Sequence, residues 1–326
     1  MIQPIITILL WFPAIGCGFL AGLYFAFSPF IITAPGGACA TPYRQPRPAA
    51  MRSVAIVGEA TLFAPGIAST EFSEIRLTIS PDGQTALWFS RNRLGGPGGY
   101  DIWMSRRTPD GWAAAMPVSF NSAQRDFDPA FSPDGRFVYF CSDRPGGIGG
   151  DDIYRVAVTA KGFGRIEHLG PEVNSPRNEW APMLSPDRTL LLFSSDRPGG
   201  AGRQDLFAAR YGGKGFAPAA RLPGDVNTAA DEFDATYLSD SATIVFARAP
   251  DLRTDRIDLF YAAPRGGRYG AGVMLPQSVN SGDKDTYGPM LDWSRSDQLT
   301  FSGQRTETHG MDLYLVRYRL EHKHSD

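Results

Sequence analysis

Beyond residue 53 the chain is written in short apolar bursts of four to seven residues, separated by Gly-, Pro-, Ser- and Asp-rich turns. No 3.6-residue period persists long enough to build a helix, and β-branched and aromatic residues fill the bursts. One stretch serves as the template. Pro129-Ala130-Phe131 runs into Ser132-Pro133-Asp134-Gly135, a tight-turn phrase, and then into the strand-like run Phe137 to Cys141. These two runs predict a hairpin. Asp143 to Gly150 reads as a Gly-rich loop, Ile153 to Val158 as a third strand and Gly164 to Leu169 as a fourth.

The same order recurs down the chain. Asn121, Asn174, Asn227 and Asn280 are spaced 53 residues apart, each inside a phrase such as Val173-Asn174-Ser175. A second marker is an Asp ahead of the third strand, at Asp101, Asp152, Asp205, Asp258 and Asp312. A third is an acid ahead of each hairpin, at Glu71, Asp126, Glu179, Glu232 and Asp285. Three markers in one period, each with four short strands, predict an all-β chain folded as a five-bladed β-propeller. The fifth copy runs out of chain before its fourth strand. Val54 to Phe63 precedes the first hairpin and leads into Ala64 to Ser69, which stands where the Asn phrase belongs. If that segment pairs with Leu313 to Tyr318, the ring closes and leaves no exposed edge there.

Composition narrows the function. Hydrophobic residues make up 43% of the 326, enough for a sizeable core, and a net charge of −2 lacks the basic excess expected of a nucleic-acid binder. Three cysteines, two of them (Cys17, Cys39) ahead of the first charged residue, exclude a disulfide framework for the body. His168, His309, His322 and His324 form no spaced ligand set, and the Gly-rich loops lack Gly-Lys-Ser/Thr, so no metal and no cofactor is implied.

Residues 1–40 are a separate problem. From Met1 to Tyr43 there is no charged side chain, and Ile5 to Thr33 is a nearly unbroken apolar run. It reads as a signal peptide, with Ala38-Cys39-Ala40 before a cleavage point, or as a retained membrane anchor. Export or outward anchoring puts the body in the periplasm or beyond. Arg44, Arg47 and Arg52 place an uncleaved anchor's body in the cytoplasm instead, and Met51 offers an alternative start. Residues 41–53 read as a Pro/Arg-rich linker, 54–320 as the propeller and 321–326 as a tail.

Phe131-Ser132-Pro133-Asp134-Gly135, Ser142-Asp143-Arg144-Pro145-Gly146-Gly147 and Asp152-Ile153-Tyr154 resemble the WD40-like PD40 repeat of the TolB type. The resemblance covers about residues 60 to 318 and is strongest in copies 2 and 3. Copies 4 and 5 lack the Pro-Asp-Gly turn and the double Gly. It implies a propeller of the bacterial envelope used mainly for contacts with proteins.

Recurrence separates scaffold from function. The five Asp residues before the third strand read as structural, accepting backbone N–H groups of their own loops. Glu71, Asp126, Glu179, Glu232 and Asp285 are expected to ring the channel mouth, with Glu74, Asp128 and Asp234 adding a second acid and Arg125, Arg177 and Lys284 among them. Such a ring either fixes blade angles or forms a polar funnel for a basic peptide, a cation or a sugar. The functional version predicts that changing Glu179 and Glu232 to Gln weakens binding with folding intact. The favoured function is a non-catalytic binding propeller that recognises a protein or envelope polymer through its top face. The alternative is a glycan-active hydrolase with carboxylates in the funnel.

Overall fold

A computed structural model describes residues 51–305 and 310–323; the apolar segment 1–40 and residues 41–50 of the linker lie outside the described residues. Among those described, five antiparallel sheets of four main strands are arranged as the blades of a propeller, with no helix. Blade 2 orders its strands as Asp126–Phe131, Phe137–Ser142, Asp152–Thr159 and Gly162–His168 from the channel outward. Blade 1 begins with Ser73–Ile79, blade 3 with Glu179–Leu184, blade 4 with Asp231–Tyr237 and blade 5 with Thr286–Leu291.

The inner and middle strands are buried on both faces, because each sheet is sandwiched between its neighbours. That explains why they read as near-continuous apolar runs rather than strict alternation. Phe89 of blade 1 meets Phe127 of blade 2 at 5.8 Å between ring centroids, and one core cluster draws Ile75, Phe140, Phe193, Leu259 and Phe301 from all five blades.

The recurring phrases hold strands in place. Asn174 offers Oδ1 to the Ile153 N–H (2.8 Å) and Nδ2 to the Ile153 carbonyl (3.0 Å), so its side chain pairs with the third strand as a peptide group would. Asn121, Asn227 and Asn280 do the same to Ile102, Leu206 and Leu259. In blade 5 Ser69 takes the role, its Oγ accepting from the Leu313 N–H at 3.1 Å.

Closure follows the predicted route with wider bounds. Met51–Leu62 pairs antiparallel with Asp312–Lys323, with Ile56 opposite Tyr318 and Leu62 opposite Tyr314. Residues 51–53, expected in the linker, and 321–323, expected in the tail, are strand, because each supplies the other's hydrogen-bond partners.

Candidate functional site

The acids singled out by their period do not share one environment: Asp126, Glu179 and Glu232 are fully buried and Asp285 is half-buried. Glu71 is exposed, and the residue equivalent to Asp126, Glu179 and Glu232 is Glu74, which is fully buried. The shared geometry is a Ser or Thr four residues earlier whose backbone and hydroxyl both donate to the carboxylate: Thr70 to Glu74, Ser122 to Asp126, Ser175 to Glu179 and Thr228 to Glu232. An Arg closes each group. Arg197 Nη2 reaches Glu179 at 2.8 Å, Arg248 Nε reaches Glu232 at 2.7 Å, Arg144 pairs with Asp126, and Arg93 lies 3.5 Å from Glu74. These carboxylates are locks on the links between blades.

Blade 5 departs from this pattern. Thr286, opposite Gly303, holds the lock position, while Asp285 accepts the Ile257 N–H instead. Among the described residues, Thr286 Oγ1 and Arg305 Nε have no hydrogen-bond partner. Arg125 bridges Asp143 and Asp151, whereas Arg177 and Lys284 are exposed and hold their loops through their carbonyls. Asp101, Asp152 and Asp205 accept N–H groups from the Gly-rich loops ahead of them, while Asp258 binds the Arg256 guanidinium.

What the topology does bring together is a set of residues sharing no type. Each inner strand carries a bulge, and the bulged residue sits at positive φ: Arg76, Asp128, Ala181, Asp234 and Gly288. Arg76 is fully buried, its Nε 3.9 Å from Asp128 Oδ1 and its Nη1 3.8 Å from Asp234 Oδ1, with Nη2 on the Pro182 carbonyl at 3.3 Å. Neither Nε nor Nη1 has a hydrogen-bond partner. Gly288 leaves room for this side chain: a Cβ there would lie 3.1 Å from Arg76 Cγ.

The residues immediately before the bulges are Ile75, Phe127, Trp180, Phe233 and Tyr287. They wall a funnel of about 160 Å³ that also includes Asp128, Asp234, Arg91 and Tyr100. The funnel opens on the face that carries the second-to-third-strand loops, since each inner strand starts there. Trp180 is held by its indole N–H on Asp151 at 2.8 Å. Burial pushes Asp128 up to about 8, its neighbour Asp234 adds to the rise, and Arg76 opposes it. Asp234 is likewise raised by burial, against Arg76 and the Gly288 N–H. Asp128 Oδ2 accepts the Ala181 N–H at 3.1 Å, which fixes its orientation.

No family model matches this chain, and no curated protein matches its sequence. Solved structures do. The endo-arabinase from Bacteroides thetaiotaomicron VPI-5482 superposes with a TM-score of 0.55 at 13% identity, covering 81% of this chain and 99% of that one. The putative TolB from Agrobacterium tumefaciens gives 0.49 at 16% identity, covering 84% and 88%. TolB from Acinetobacter baumannii gives 0.48 at 12% identity over 83% of this chain, which spans only 65% of that protein. Likeness at such low identity speaks to architecture alone. The chain is a five-bladed β-propeller, and its distinctive chemistry lies in the residues of the funnel.

Proposed function

We propose that this is a non-catalytic binding propeller of the bacterial envelope, exported or tethered through its apolar N-terminal segment, that engages a protein or an envelope polymer through its top face. The funnel is the anchoring point. One observation carries this: the five repeat-equivalent bulge positions hold Arg, Asp, Ala, Asp and Gly, whereas the Asp ahead of the third strand recurs in all five blades and the Asn in four. A place that departs from the repeat at the end of an aromatic-walled opening is where selection for a ligand would act.

A second reading, a glycan-active hydrolase, draws on the funnel carboxylates. Asp128, protonated near neutrality, has the proton inventory of a general acid. Against it, Asp128 and Asp234 are both held by backbone N–H groups and lie against one buried guanidinium, an arrangement that restrains movement. The test is co-sedimentation of the full chain with purified peptidoglycan and with outer-membrane vesicles, alongside the Trp180→Ala/Tyr287→Ala double variant. Capture lost in the variant at unchanged melting temperature supports the funnel as the binding site. Equal capture by both proteins would remove it, and turnover abolished by Asp128→Asn would move the assignment to the hydrolase.

A further inference from the structure

We propose that the funnel accepts one neutral, polyhydroxylated ring, a single saccharide unit seated on Asp128 and Asp234; this rests on the funnel being the binding site. The argument runs by charge, then by hydrogen-bond inventory, then by shape.

A cation entering the funnel meets two carboxylates, but Arg76 lies directly behind them, within 3.9 Å of one and 3.8 Å of the other, and its fixed positive charge cancels much of their attraction. An anion meets the carboxylates first, since Asp128 and Asp234 line the opening while Arg76 is fully buried beneath. A neutral ligand pays neither repulsion. It must be able both to donate, because an ionised carboxylate oxygen only accepts, and to accept, because Asp128, which lines the funnel and is raised to about 8 by burial, carries a proton to donate near neutrality. A hydroxyl group does both. Asp128 and Asp234, which line the same opening, suit neighbouring hydroxyls on one ring.

The walls match such a ring. Trp180 and Tyr287 are partly exposed, and Phe127 and Phe233 pack beside them, presenting aromatic surface to the apolar C–H face of a sugar. The Asp151 bond fixes the Trp180 indole before any ligand arrives, which lowers the ordering cost of binding. At about 160 Å³ the space is below the roughly 300 Å³ usual for drug-sized ligands, so one ring enters and the rest of a polymer stays outside.

The experiment is a titration of the full chain with glucose, galactose, xylose and arabinose, and with glucosamine, galacturonate and n-butylamine as charged counterparts, followed by tryptophan fluorescence and calorimetry. At least one neutral sugar is expected to saturate and to bind at least tenfold tighter than every charged probe. Trp180→Phe, which preserves packing but loses the Asp151 bond, should weaken it severalfold, and Asp234→Asn at least tenfold. If glucosamine or n-butylamine binds more tightly than the neutral sugars, the ligand is a cation and this proposal falls while the funnel remains a binding site. If no sugar binds although Trp180→Ala/Tyr287→Ala abolishes envelope capture, the partner is a protein and the saccharide proposal again falls alone. Tight sugar binding with envelope capture untouched by that double variant would sink the proposed envelope role and leave the saccharide site standing.

Discussion

Replacing Glu179 by Gln decides whether the buried acids hold the scaffold or bind a ligand. Glu179 Oε1 accepts from Ser175 Oγ at 2.6 Å, Arg197 Nη2 at 2.8 Å and Ser195 Oγ at 3.0 Å, while Oε2 accepts the Ser175 N–H at 2.9 Å. Gln keeps the shape, but whichever way its amide is turned, its NH2 faces a donor. Breaking a buried ion pair by removing one partner costs about 3–5 kcal/mol. Arg197 keeps 14% of its side-chain surface in contact with solvent and also holds the Val173 carbonyl at 2.6 Å, so the low end applies, about 3 kcal/mol. Urea denaturation of the wild type, Glu179→Gln, Arg197→Met and the double variant, read by tryptophan fluorescence, should return a coupling of about 1–3 kcal/mol. Glu71→Gln, on the surface, should stay within about 0.5 kcal/mol of wild type. If Glu179→Gln costs no more than Glu71→Gln and yet loses the partner, the lock assignment is wrong.

Other outcomes follow from the same geometry. Burial holds Glu74 up at about 7, against the bonds from Thr70 and the charge of Arg93. A carboxyl raised above its unfolded value favours folding while protonated, so its contribution is lost as pH rises from about 4.5 through about 7. The stability of the wild type should therefore fall by up to about 3 kcal/mol relative to that of Glu74→Gln between pH 4 and pH 8.5, on top of the constant offset that the Thr70 donors impose on the Gln amide, measured by denaturation at the two pH values. Asn174→Ala strands the Ile153 N–H and carbonyl and should cost about 2–4 kcal/mol in the same assay. Gly288→Ala puts a Cβ at φ +63° and 3.1 Å from Arg76 Cγ; a loss of about 2–3 kcal/mol is expected, with sugar binding weakened beyond what Ala at another positive-φ glycine, Gly58, produces. Thr286→Asp should place a carboxylate at the lock position, where among the described residues Arg305 Nε has no hydrogen-bond partner, and raise stability by about 1 kcal/mol in urea, an increase that Thr286→Ser should not reproduce.

The ring and its closure were legible because they repeat. Asn121 to Asn280 mark the period, and counting strands against it leaves one place for Val54 to Phe63. The locks were half legible. Asp126, Glu179 and Glu232 sit at the right spacing, but in the first copy the marker falls on Glu71, beside Phe72, three residues ahead of the lock residue Glu74. The physical requirement is four residues after a Ser or Thr, which Thr70 and Glu74 satisfy. In blade 5 that spacing finds Asp285, yet the strand pairs one residue later and Thr286 takes the position. Of the channel group, Asp128 and Asp234 stand out as second acids near the channel mouth, while Arg76, Ala181 and Gly288 carry no such signal. Arg76, Asp128, Ala181, Asp234 and Gly288 share no side-chain type, so no marker announces the five as a set. Aligning the copies and looking for the column that refuses to repeat, directly after the aromatic column of Phe127, Trp180, Phe233 and Tyr287, would have found it.

The pairing of Met51–Leu62 with Asp312–Lys323 also sets a timetable. Blades 1 to 4 can each be assembled from contiguous chain as it leaves the ribosome, but the final sheet joins residues such as Ser69 and Leu313, which are 244 positions apart. Its first strand has to wait, unpaired, until Asp312–Lys323 has been made, and such long-range contacts form slowly. During that interval the segment offers free backbone groups and the apolar side chains of Val54, Ile56 and Leu62 to any passing strand. A holding factor for the nascent chain would find its substrate there, and deletion of Asp312–Lys323 would leave the circle permanently ajar.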